Sequence, residues 1–481
     1  MTDFKFKKSL VVNFNGHHWQ RGMSIEVAAF LREKSETVFF LDLCDFEHKM
    51  LRNAPLGFHL NALSSSTRTA KKVLKCLEIK HLDLQDFKRR FLVNSDSVGI
   101  SEDLLLQMNN ILDLEIIDRM RSVLQLEMYP NSERQKLLAV MSSIYKSMSL
   151  LLDEEQIDSI FTFNSRFLAE GSSKLAAMTL GIPHFEFEQI SLRYDSFHIF
   201  ESGVHNTIER ANQCEQFHVQ AQTNSLEIER EAIKWVESRR KRISQKFTNL
   251  QVEGTLPTRV LTRDDRKVIS CFLSSFDELV LAGLVQPGDE SSQENALMEL
   301  AELVKGHPNW LLVVREHPNM LNRSKSEQEH WRNLLEQLGP EVVKVFSNGD
   351  IDSYALIERS DLIVTFGSTV GVEASILNRC SILIGRALHE LTGACIRVNH
   401  VQELRRFLED NPKKFTLDNY FVNACRYAVF LGKGGTRFRV FKAESIFQQD
   451  PPLSFKKRKL KPHPILFRLQ RLIDFLAVKP G

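Results

Sequence analysis

Cysteine is scarce in this chain and has no paired pattern. The sequence has 481 residues and seven cysteines, an odd number, and no CxxC spacing occurs. Scattered cysteines argue against a disulfide framework and a zinc site, and favour reduced thiols in a cytoplasm-like compartment. We therefore predict no metal site. The cysteines are Cys44, Cys76, Cys214, Cys271, Cys380, Cys395 and Cys425.

Long apolar runs are also missing. No stretch of 18 apolar residues occurs in the sequence, so a membrane-spanning helix is not expected. The first residues, MTDFKFKKSLVVNFNGHHW, have a basic start but only a short apolar run before Asn and Gly. This pattern predicts a first strand rather than a signal peptide, and we expect a cytoplasmic protein.

A glycine-rich GxGxxG loop does not follow the first predicted strand. The segment after SLVVNF (9–14) is NGHHWQRG. In dinucleotide-binding folds those glycines let the backbone approach a pyrophosphate, so their absence disfavours a nicotinamide or flavin enzyme. We predict no cofactor.

Charge is nearly balanced over the whole chain, at +2, but is uneven along it. Residues 454–481 carry eight basic residues and one acidic residue, a net charge of +7, so the rest of the chain carries −5. A body of that charge is not typical of a nucleic-acid-binding protein, and no nucleic-acid partner is predicted. With 43% hydrophobic and 26% charged residues, the chain is typical of a globular protein of two or more domains.

Alternating strand and helix patterns predict an α/β protein with two Rossmann-like domains. The first domain is predicted over 1–250 and opens with strand, helix and strand up to residue 43; a helical insertion occupies about 70–152, and strands resume at DSIFTF. The polar helical pattern between 205 and 248, ending in ESRRKRISQK, predicts a solvated helix face. The remaining predicted segments are a Gly- and Pro-containing linker at 251–259, a second domain at 260–410, C-terminal helices at 411–450 and a basic amphipathic tail at 451–481.

TFGSTVGVEAS (365–375) indicates an anion-binding turn. A buried strand ends before Gly367, and apolar residues then recur at helical spacing, which places Ser368 and Thr369 where a helix begins. Hydroxyls and free amides at a helix start hold phosphate, and Glu373 lies one turn further, where it could accept hydrogen bonds from sugar hydroxyls. The alternative is an ordinary Ser/Thr cap with nothing bound.

Polar residues also follow two other strands of the second domain. Ser274 and Ser275 directly follow RKVISCFL, and Arg315 and His317 lie near the end of WLLVVREHPN. Ligands of open α/β sheets bind at this edge, so we predict a phosphate or nucleotide site. Arg315 offers a fork of donors and His317 a hydrogen bond to an oxyanion. Alternatively, Arg315 pairs with an acid such as Asp277, and His317 is a satisfied histidine.

These segments resemble a known family. REHPN, followed by DIDSYALIERSDLIVTFGSTVGVEASILNRCSILIG, is similar to the C-terminal domain of bacterial capsule and surface polysaccharide biosynthesis proteins, which have the GT-B glycosyltransferase fold. FNSRFLAEGSSKLAAMTLGIPHFEFEQ and CFLSSFDE also resemble that family, so the similarity covers most of 158–400 and is weaker over 1–150. An HP pair with a Ser/Thr pair is similar to the phosphate-binding motifs of transferases that use CMP-activated sialic acid or Kdo. Teichoic-acid polymerases also carry an RxHP stretch.

The resemblance implies a metal-independent transferase with two Rossmann-like domains that face each other across a cleft. Its partners would be a nucleotide-sugar donor and a glycan or lipid-linked glycan acceptor. The donor-binding residues predicted from the strand ends and the resemblance together are Ser274, Ser275, Arg315, His317, Ser368, Thr369 and Glu373, with Glu373 on the ribose.

The catalytic base is expected in the first domain, because it must reach the acceptor hydroxyl. His17 and Glu188 are the predicted bases. Further candidates for the acceptor side are His18, Asn164, Arg166 and Glu186. Ordinary structural roles are the alternatives: His18 packs beside Trp19, and either glutamate pairs with Arg193. A retaining enzyme would need no such base.

The tail has an apolar helical face preceded by a basic run, a combination typical of attachment to an anionic membrane surface through residues 455–479. The alternative is a helix packed on the body. Other functions also fit the fold: a UDP-sugar 2-epimerase, a CDP-polyol phosphotransferase, or a non-catalytic scaffold for capsule assembly.

Overall fold

The computed structural model describes residues 5–14, 18–43, 63–92, 98–190, 195–222, 224–241, 254–262, 265–286, 290–409 and 418–441. The chain divides into two compact units. Unit 1 combines the described residues of 1–112, 130–204 and 435–481, and unit 2 those of 113–129 and 205–434. Within the described ranges no helix is long and apolar enough to cross a membrane. The same ranges hold no cluster of His, Cys, Asp or Glu side chains suited to a metal ion.

Thirteen strands are defined in the described part of the chain. They are β1 Phe6–Asn13, β2 Ser35–Asp42, β3 Lys80–Asp83, β4 Ser159–Phe163, β5 His184–Glu188, β6 Ser196–Phe200, β7 Lys267–Phe272, β8 Trp310–Arg315, β9 Val343–Val345, β10 Leu362–Thr365, β11 Cys380–Ile384, β12 Ile396–Val398 and β13 Thr436–Arg437.

The α-helices in the described residues alternate with these strands. They are α1 His18–Leu31, α2 Leu63–Cys76, α3 Leu84–Phe87, α4 Glu102–Met120, α5 Asn131–Glu154, α6 Leu168–Thr179, α7 Thr207–Ala221, α8 Ser225–Arg240, α9 Thr258–Leu261, α10 Phe276–Leu281, α11 Glu290–Lys305, α12 Lys325–Gln337, α13 Ser353–Arg359, α14 Val370–Ile376, α15 Arg405–Glu409 and α16 Asp418–Lys433. A π-helical turn, Lys88–Leu92, follows α3, and 3₁₀ turns lie at Pro318–Asn322 and Val401–Leu404.

Unit 1 contains a seven-stranded sheet in the order β13-β6-β5-β4-β1-β2-β3. Strands β1 to β5 are parallel, whereas β6 is antiparallel to β5, and β13 is antiparallel to β6. The apolar ends of β1 and β2 are fully buried because helices cover the sheet. Trp19, Met23 and Phe40 belong to the core on one side.

Unit 2 contains a six-stranded, all-parallel sheet in the order β12-β11-β10-β7-β8-β9. Counted from β7, this is the Rossmann order 3-2-1-4-5-6, in which strand order reverses between the first and fourth strands. Both faces are covered: one carries a core that includes Trp310 and Trp331, and the other a core that includes Leu356 and Ile363. The predicted α/β fold with two Rossmann-like domains is confirmed.

The chain crosses between the units at positions other than the predicted linker at 251–259, of which 254–259 are described. Helices α7 and α8 belong to unit 2, and residues from 435 return to unit 1. Helix α8 packs against α16 in unit 2. The predicted helical insertion (70–152) contains α4 and α5 but also β3, a four-residue edge strand too short to show alternation in sequence.

The returning segment completes unit 1 through specific contacts. Strand β13 pairs with β6, and the Phe441 ring occupies the space next to Gly22 on α1, where a Cβ would lie 2.4 Å from it. The buried Glu26 carboxylate accepts hydrogen bonds from the backbone N–H groups of Val440 and Phe441. A glycine at position 22 is therefore required by the closeness of this ring.

Candidate functional site

The candidate site lies at the carboxyl edge of the unit 2 sheet, where strand order reverses. Strands β7 and β10 are neighbours at the point where strand order reverses, which is where open α/β sheets bind their ligands. The loop after β7 carries Ser274 and Ser275, and the loop after β10 carries Gly367 and Ser368. Strand β8, beside β7, ends at Arg315. The sequence-predicted donor residues of three strands therefore meet at one edge.

Gly367 turns the chain at the end of β10. Its φ of +130° lies in the region that favours glycine, and a Cβ here would come within 2.8 Å of Leu279 Cδ2 and 3.2 Å of the Arg386 carbonyl oxygen. The same Cβ would lie 3.4 Å from Ser274 Oγ. The two loops of the switch point are thus in close approach.

Ser274 presents a buried hydroxyl beside this turn. The Gln293 side-chain amide fixes the Ser274 backbone through two hydrogen bonds. Its Oε1 accepts from Ser274 N at 3.2 Å, and its Nε2 donates to Ser274 O at 3.3 Å. The Ser274 side chain is buried, and its Oγ has no hydrogen-bond partner among the described residues. A buried hydroxyl without a partner is costly unless a ligand satisfies it.

His317 is fixed at the start of the 3₁₀ turn that follows β8. Its Nδ1 accepts a hydrogen bond from Asn319 N at 3.2 Å and lies 3.4 Å from Ser275 Oγ. Burial lowers the pKa of His317, Glu278 opposes this effect, and Arg323 and Arg315 reinforce it. His317 is therefore a neutral imidazole at pH 7, and its Nε2 carries the hydrogen.

Ser368 and Thr369 have different surroundings, although both precede α14. Ser368 is partly exposed, and its Oγ accepts from Val370 N at 3.3 Å. The Thr369 hydroxyl instead accepts from Arg239 Nη2 at 3.3 Å and lies 3.4 Å from Glu373 Oε1. Of the pair, Ser368 is the one that faces away from this internal network.

Glu373 is engaged within unit 2 rather than open to solvent. Its Oε1 accepts from Arg239 Nε at 2.8 Å, and its Oε2 accepts from Tyr354 Oη at 2.6 Å. Burial, followed by the neighbouring Glu373 charge, raises the pKa of Tyr354 above its usual range, so the phenol remains a donor. The structure gives Glu373 the role of tying α14 to α8 and α13, and its predicted contact with a ribose stays a prediction.

Arg315 is buried, with 2% of its surface exposed, at the last position of β8. Asp277, the acid named as its alternative partner, forms a close buried ion pair with Arg323. Arg315 therefore contributes a positive charge beneath the loops of the candidate site.

The sequence analysis missed two arginines near these loops. Arg386 follows β11, and its Nε donates to both carboxylate oxygens of Glu390 at 2.8–2.9 Å, while about half of its side chain is exposed. A search for polar residues just after each parallel strand would have found Arg386, since it lies two residues after β11. Arg239 lies in the charged segment predicted to be a solvated face, and nothing in that segment distinguishes it from its neighbours.

Unit 1 has its own polar edge. Asn164 follows β4 with a φ of +30°, and its Nδ2 donates to Glu188 at the end of β5. The partly buried Arg166 stacks on the Phe167 ring at 4.9 Å. At the ends of β1 and β2, Asn13 Nδ2 donates to Asp42 Oδ1 at 3.1 Å, and Arg21 forms a buried ion pair with Asp42.

Glu186 is held internally in unit 1. Lys174 Nζ donates to it at 2.9 Å, and so does Val204 N at 3.0 Å. Burial opposes its ionisation, but Lys174, His184 and the backbone hydrogen bond outweigh that effect and lower the pKa to about 2. Its partner is Lys174, whereas Arg193, the predicted alternative, lies outside the described residues. His17 also lies outside them, and of His18 only the backbone, at the start of α1, is described.

A buried histidine makes the stability of unit 2 depend on pH. Burial lowers the pKa of His389 to about 4, and the ordinary value is 6.5. Below pH 6.5 His389 becomes protonated in the unfolded chain but stays neutral in the folded chain. We therefore expect the free energy of unfolding to fall by about 2 kcal/mol at pH 5. Denaturant unfolding at pH 7 and pH 5 measures this. His389→Gln should flatten the dependence, and His330→Gln, at a partly exposed histidine, should not; equal slopes in both would contradict the assignment.

The two sheets define a protein of α/β class, and polar residues gather at the Rossmann switch point of unit 2. Residues 282–427 match the model of the family described as capsule polysaccharide biosynthesis protein. This segment contains Arg315, His317, Ser368 and Glu373. The resemblance predicted from the sequence is confirmed over these residues. No curated protein matches the chain.

Solved structures show remote similarity. KpsC of Thermosulfurimonas dismutans, a beta Kdo 2,4 transferase, is 15% identical, with a TM-score of 0.37 over 56% of this chain and 80% of that one. The UDP-GlcNAc 2-epimerase of Neisseria meningitidis bound to UDP-GlcNAc is 13% identical, with a TM-score of 0.32 over 89% and 96%. MnaA of S. aureus with UDP is 12% identical, with a TM-score of 0.31 over 90% and 94%. The fold assignment rests on the two sheets described above.

Proposed function

We propose that the protein is a glycosyltransferase that moves a sugar from a nucleotide-activated donor to a surface or capsular polysaccharide or its lipid-linked precursor. The observation that carries this proposal is that Ser274, His317 and Ser368 all lie at the carboxyl edge of the unit 2 sheet, where Ser274 Oγ is next to Gly367 and His317 Nδ1 lies 3.4 Å from Ser275 Oγ. The family match over residues 282–427 supports the link to capsule polysaccharide synthesis.

The chemistry of the candidate site suits a phosphate group. Ser274 and Ser368 supply hydroxyls, the neutral His317 supplies an Nε2–H donor, and Arg315 supplies positive charge. As the bond between sugar and phosphate breaks, negative charge accumulates on the leaving oxygen, and donors fixed in place stabilise it without reorganisation. We infer that these groups do so without a metal.

The acceptor side rests on fewer observations. Glu188 is the carboxylate that we infer as general base, because Asn164 orients it at the end of a strand. Glu186 is less suited to this role, since both of its oxygens have partners and its pKa is about 2. His17 stays a second candidate. Membrane attachment through residues 455–479, on a cytoplasmic surface, also stays a proposal, since these residues lie outside the described ranges.

The test is nucleotide binding by His317→Ala. Loss of a hydrogen bond to a charged group costs about 1.5–3 kcal/mol, so we expect affinity for the preferred nucleotide among CMP, CDP, UDP and GDP to fall about 10- to 100-fold. Calorimetric titration and thermal shift of the folded variant measure this. His330→Ala changes a partly exposed histidine bound to Glu294 and should keep wild-type affinity. Unchanged binding in the His317 variant would refute the site.

A further inference from the structure

Ser275 occupies the first capping position of α10 but does not cap it. Its φ of −69° is suitable, yet the hydroxyl makes no hydrogen bond to the helix. Serine at this position normally accepts from a backbone N–H of the first turn. The Ser275 hydroxyl is instead directed to two side chains, His317 Nδ1 at 3.4 Å and Arg323 Nη2 at 3.0 Å.

The direction of each hydrogen bond in this group follows from its chemistry. An arginine can only donate, so Ser275 Oγ accepts from Arg323, and its own hydrogen is free to point at His317 Nδ1. Asn319 N also donates to Nδ1, at 3.2 Å. With two donors directed at it, Nδ1 acts as an acceptor. The ring hydrogen therefore lies on Nε2.

Arg323 is itself held firmly. Its side chain is 3% exposed, and it forms a close ion pair with the buried Asp277 and a second one with Glu278 at 3.3 Å. Glu278 also accepts from Asn319 Nδ2, which ties the loop after β8 to the start of α10. The position of Ser275 Oγ is therefore set by a buried network and not by solvent.

We propose that Ser275 and Arg323 are positioning residues that hold His317 as the neutral tautomer with its hydrogen on Nε2, ready to donate to a phosphoryl oxygen of a nucleotide. The proposal deepens the proposed function and rests on it for the identity of the ligand. Control of the His317 tautomer distinguishes this role of Ser275 and Arg323 from a direct contact with phosphate and from packing.

The network has a consequence for pH. A protonated His317 would direct an Nδ1 hydrogen at the backbone N–H of Asn319, which can only donate, so the cation is disfavoured, and binding of a phosphate should vary little between pH 6 and 8 on account of this residue. The charged groups that act on His317 are Glu278, Arg323 and Arg315. Arg323 in turn interacts with Asp277 and Glu327.

The first experiment reads the tautomer directly. Imidazole ¹⁵N NMR of the full-length protein, with the His317 signals identified by their loss in His317→Gln, should show a protonated Nε2 and an unprotonated Nδ1 from pH 6 to 8. In Ser275→Ala the Nδ1–H tautomer should become measurable. Ser324→Ala provides the matched control, because Ser324 caps α12 through Glu327 N and does not contact His317.

The second experiment measures binding of CMP and UDP to the same proteins. Loss of the Ser275 hydroxyl should weaken the better ligand about 2- to 10-fold, as expected for one neutral hydrogen bond. Arg323→Lys keeps the buried positive charge. In the folded variant, the fraction of His317 with its hydrogen on Nε2 should lie between that of the wild type and that of Ser275→Ala. An unchanged tautomer in Ser275→Ala, or a wild-type His317 that is charged at pH 7, would overturn the proposal. If the tautomer responds as expected but no nucleotide binds the wild type, the proposed function fails and the positioning network stands.

Discussion

Arg239→Gln is expected to lower the free energy of unfolding by about 3–5 kcal/mol, because it leaves a buried carboxylate without its cation. The Arg239 side chain is 19% exposed and that of Glu373 is 3% exposed. Burial lowers the pKa of Arg239, but Glu373 and Tyr354 outweigh burial and raise it, so the charged pair is the stable form. Among the described residues, the hydrogen bonds from Tyr354 and Thr369 to the carboxylate remain after the substitution.

The adjacent residue provides the control. Arg240 forms an ion pair with Glu358, and their side chains are 34% and 42% exposed. Exposed pairs contribute about 0–1 kcal/mol, so Arg240→Gln should change stability by no more than that. Urea unfolding of the wild type and both variants measures the difference. Similar losses for the two arginines would show that burial of Glu373 does not control the effect.

Gly367→Ala is expected to cost about 1–3 kcal/mol from backbone strain alone and to weaken nucleotide binding at least about 10-fold. The φ of +130° is unfavourable for alanine, and the new Cβ would approach the Arg386 carbonyl oxygen at 3.2 Å, which a backbone group cannot easily avoid. The turn must therefore move. Because Ser274 Oγ lies next to the same position, the hydroxyl would be displaced together with it.

Gly283→Ala separates the effect of backbone strain from that of the steric contact of the new Cβ. Gly283 also has a positive φ, +66°, but a Cβ there would meet nothing within 4 Å. It should lose only about 1 kcal/mol of stability and keep its affinity for nucleotides. Titration calorimetry and denaturant unfolding of both variants check this. Equal binding by Gly367→Ala and the wild type would exclude a ligand at this turn.

The sequence predicted most strands of both sheets, but not β3, β6, β12 and β13, because buried parallel strands leave continuous apolar runs, as in β8 and β10. It placed α7 and α8 in the first domain (1–250), whereas they belong to unit 2, since a polar helix with one apolar stripe carries no information about the partner of that stripe. Strand β3 was not predicted because its four residues at the sheet edge show no clear alternation of apolar and polar side chains.

The sequence was sufficient to predict which residues at the strand ends belong to the candidate site. Ser274, His317 and Ser368 were found because polar residues after parallel strands meet at one edge. Their partners could not be predicted: Glu373 contacts Arg239 from 134 positions earlier in the chain, and His317 contacts Ser275 from 42 positions earlier. Such distances in sequence are fixed by the packing of whole helices and not by local patterns.

The return of residues 435–441 to unit 1 has a consequence for the order of folding during synthesis. Unit 1 lacks its last strand, and the ring that packs on Gly22, until the ribosome has made all of unit 2. Domains usually fold as they emerge from the N-terminal side. In this chain, unit 2 can be complete before the last seven described residues of unit 1 are made, so the Glu26 carboxylate remains without its Val440 and Phe441 donors until those residues leave the ribosome.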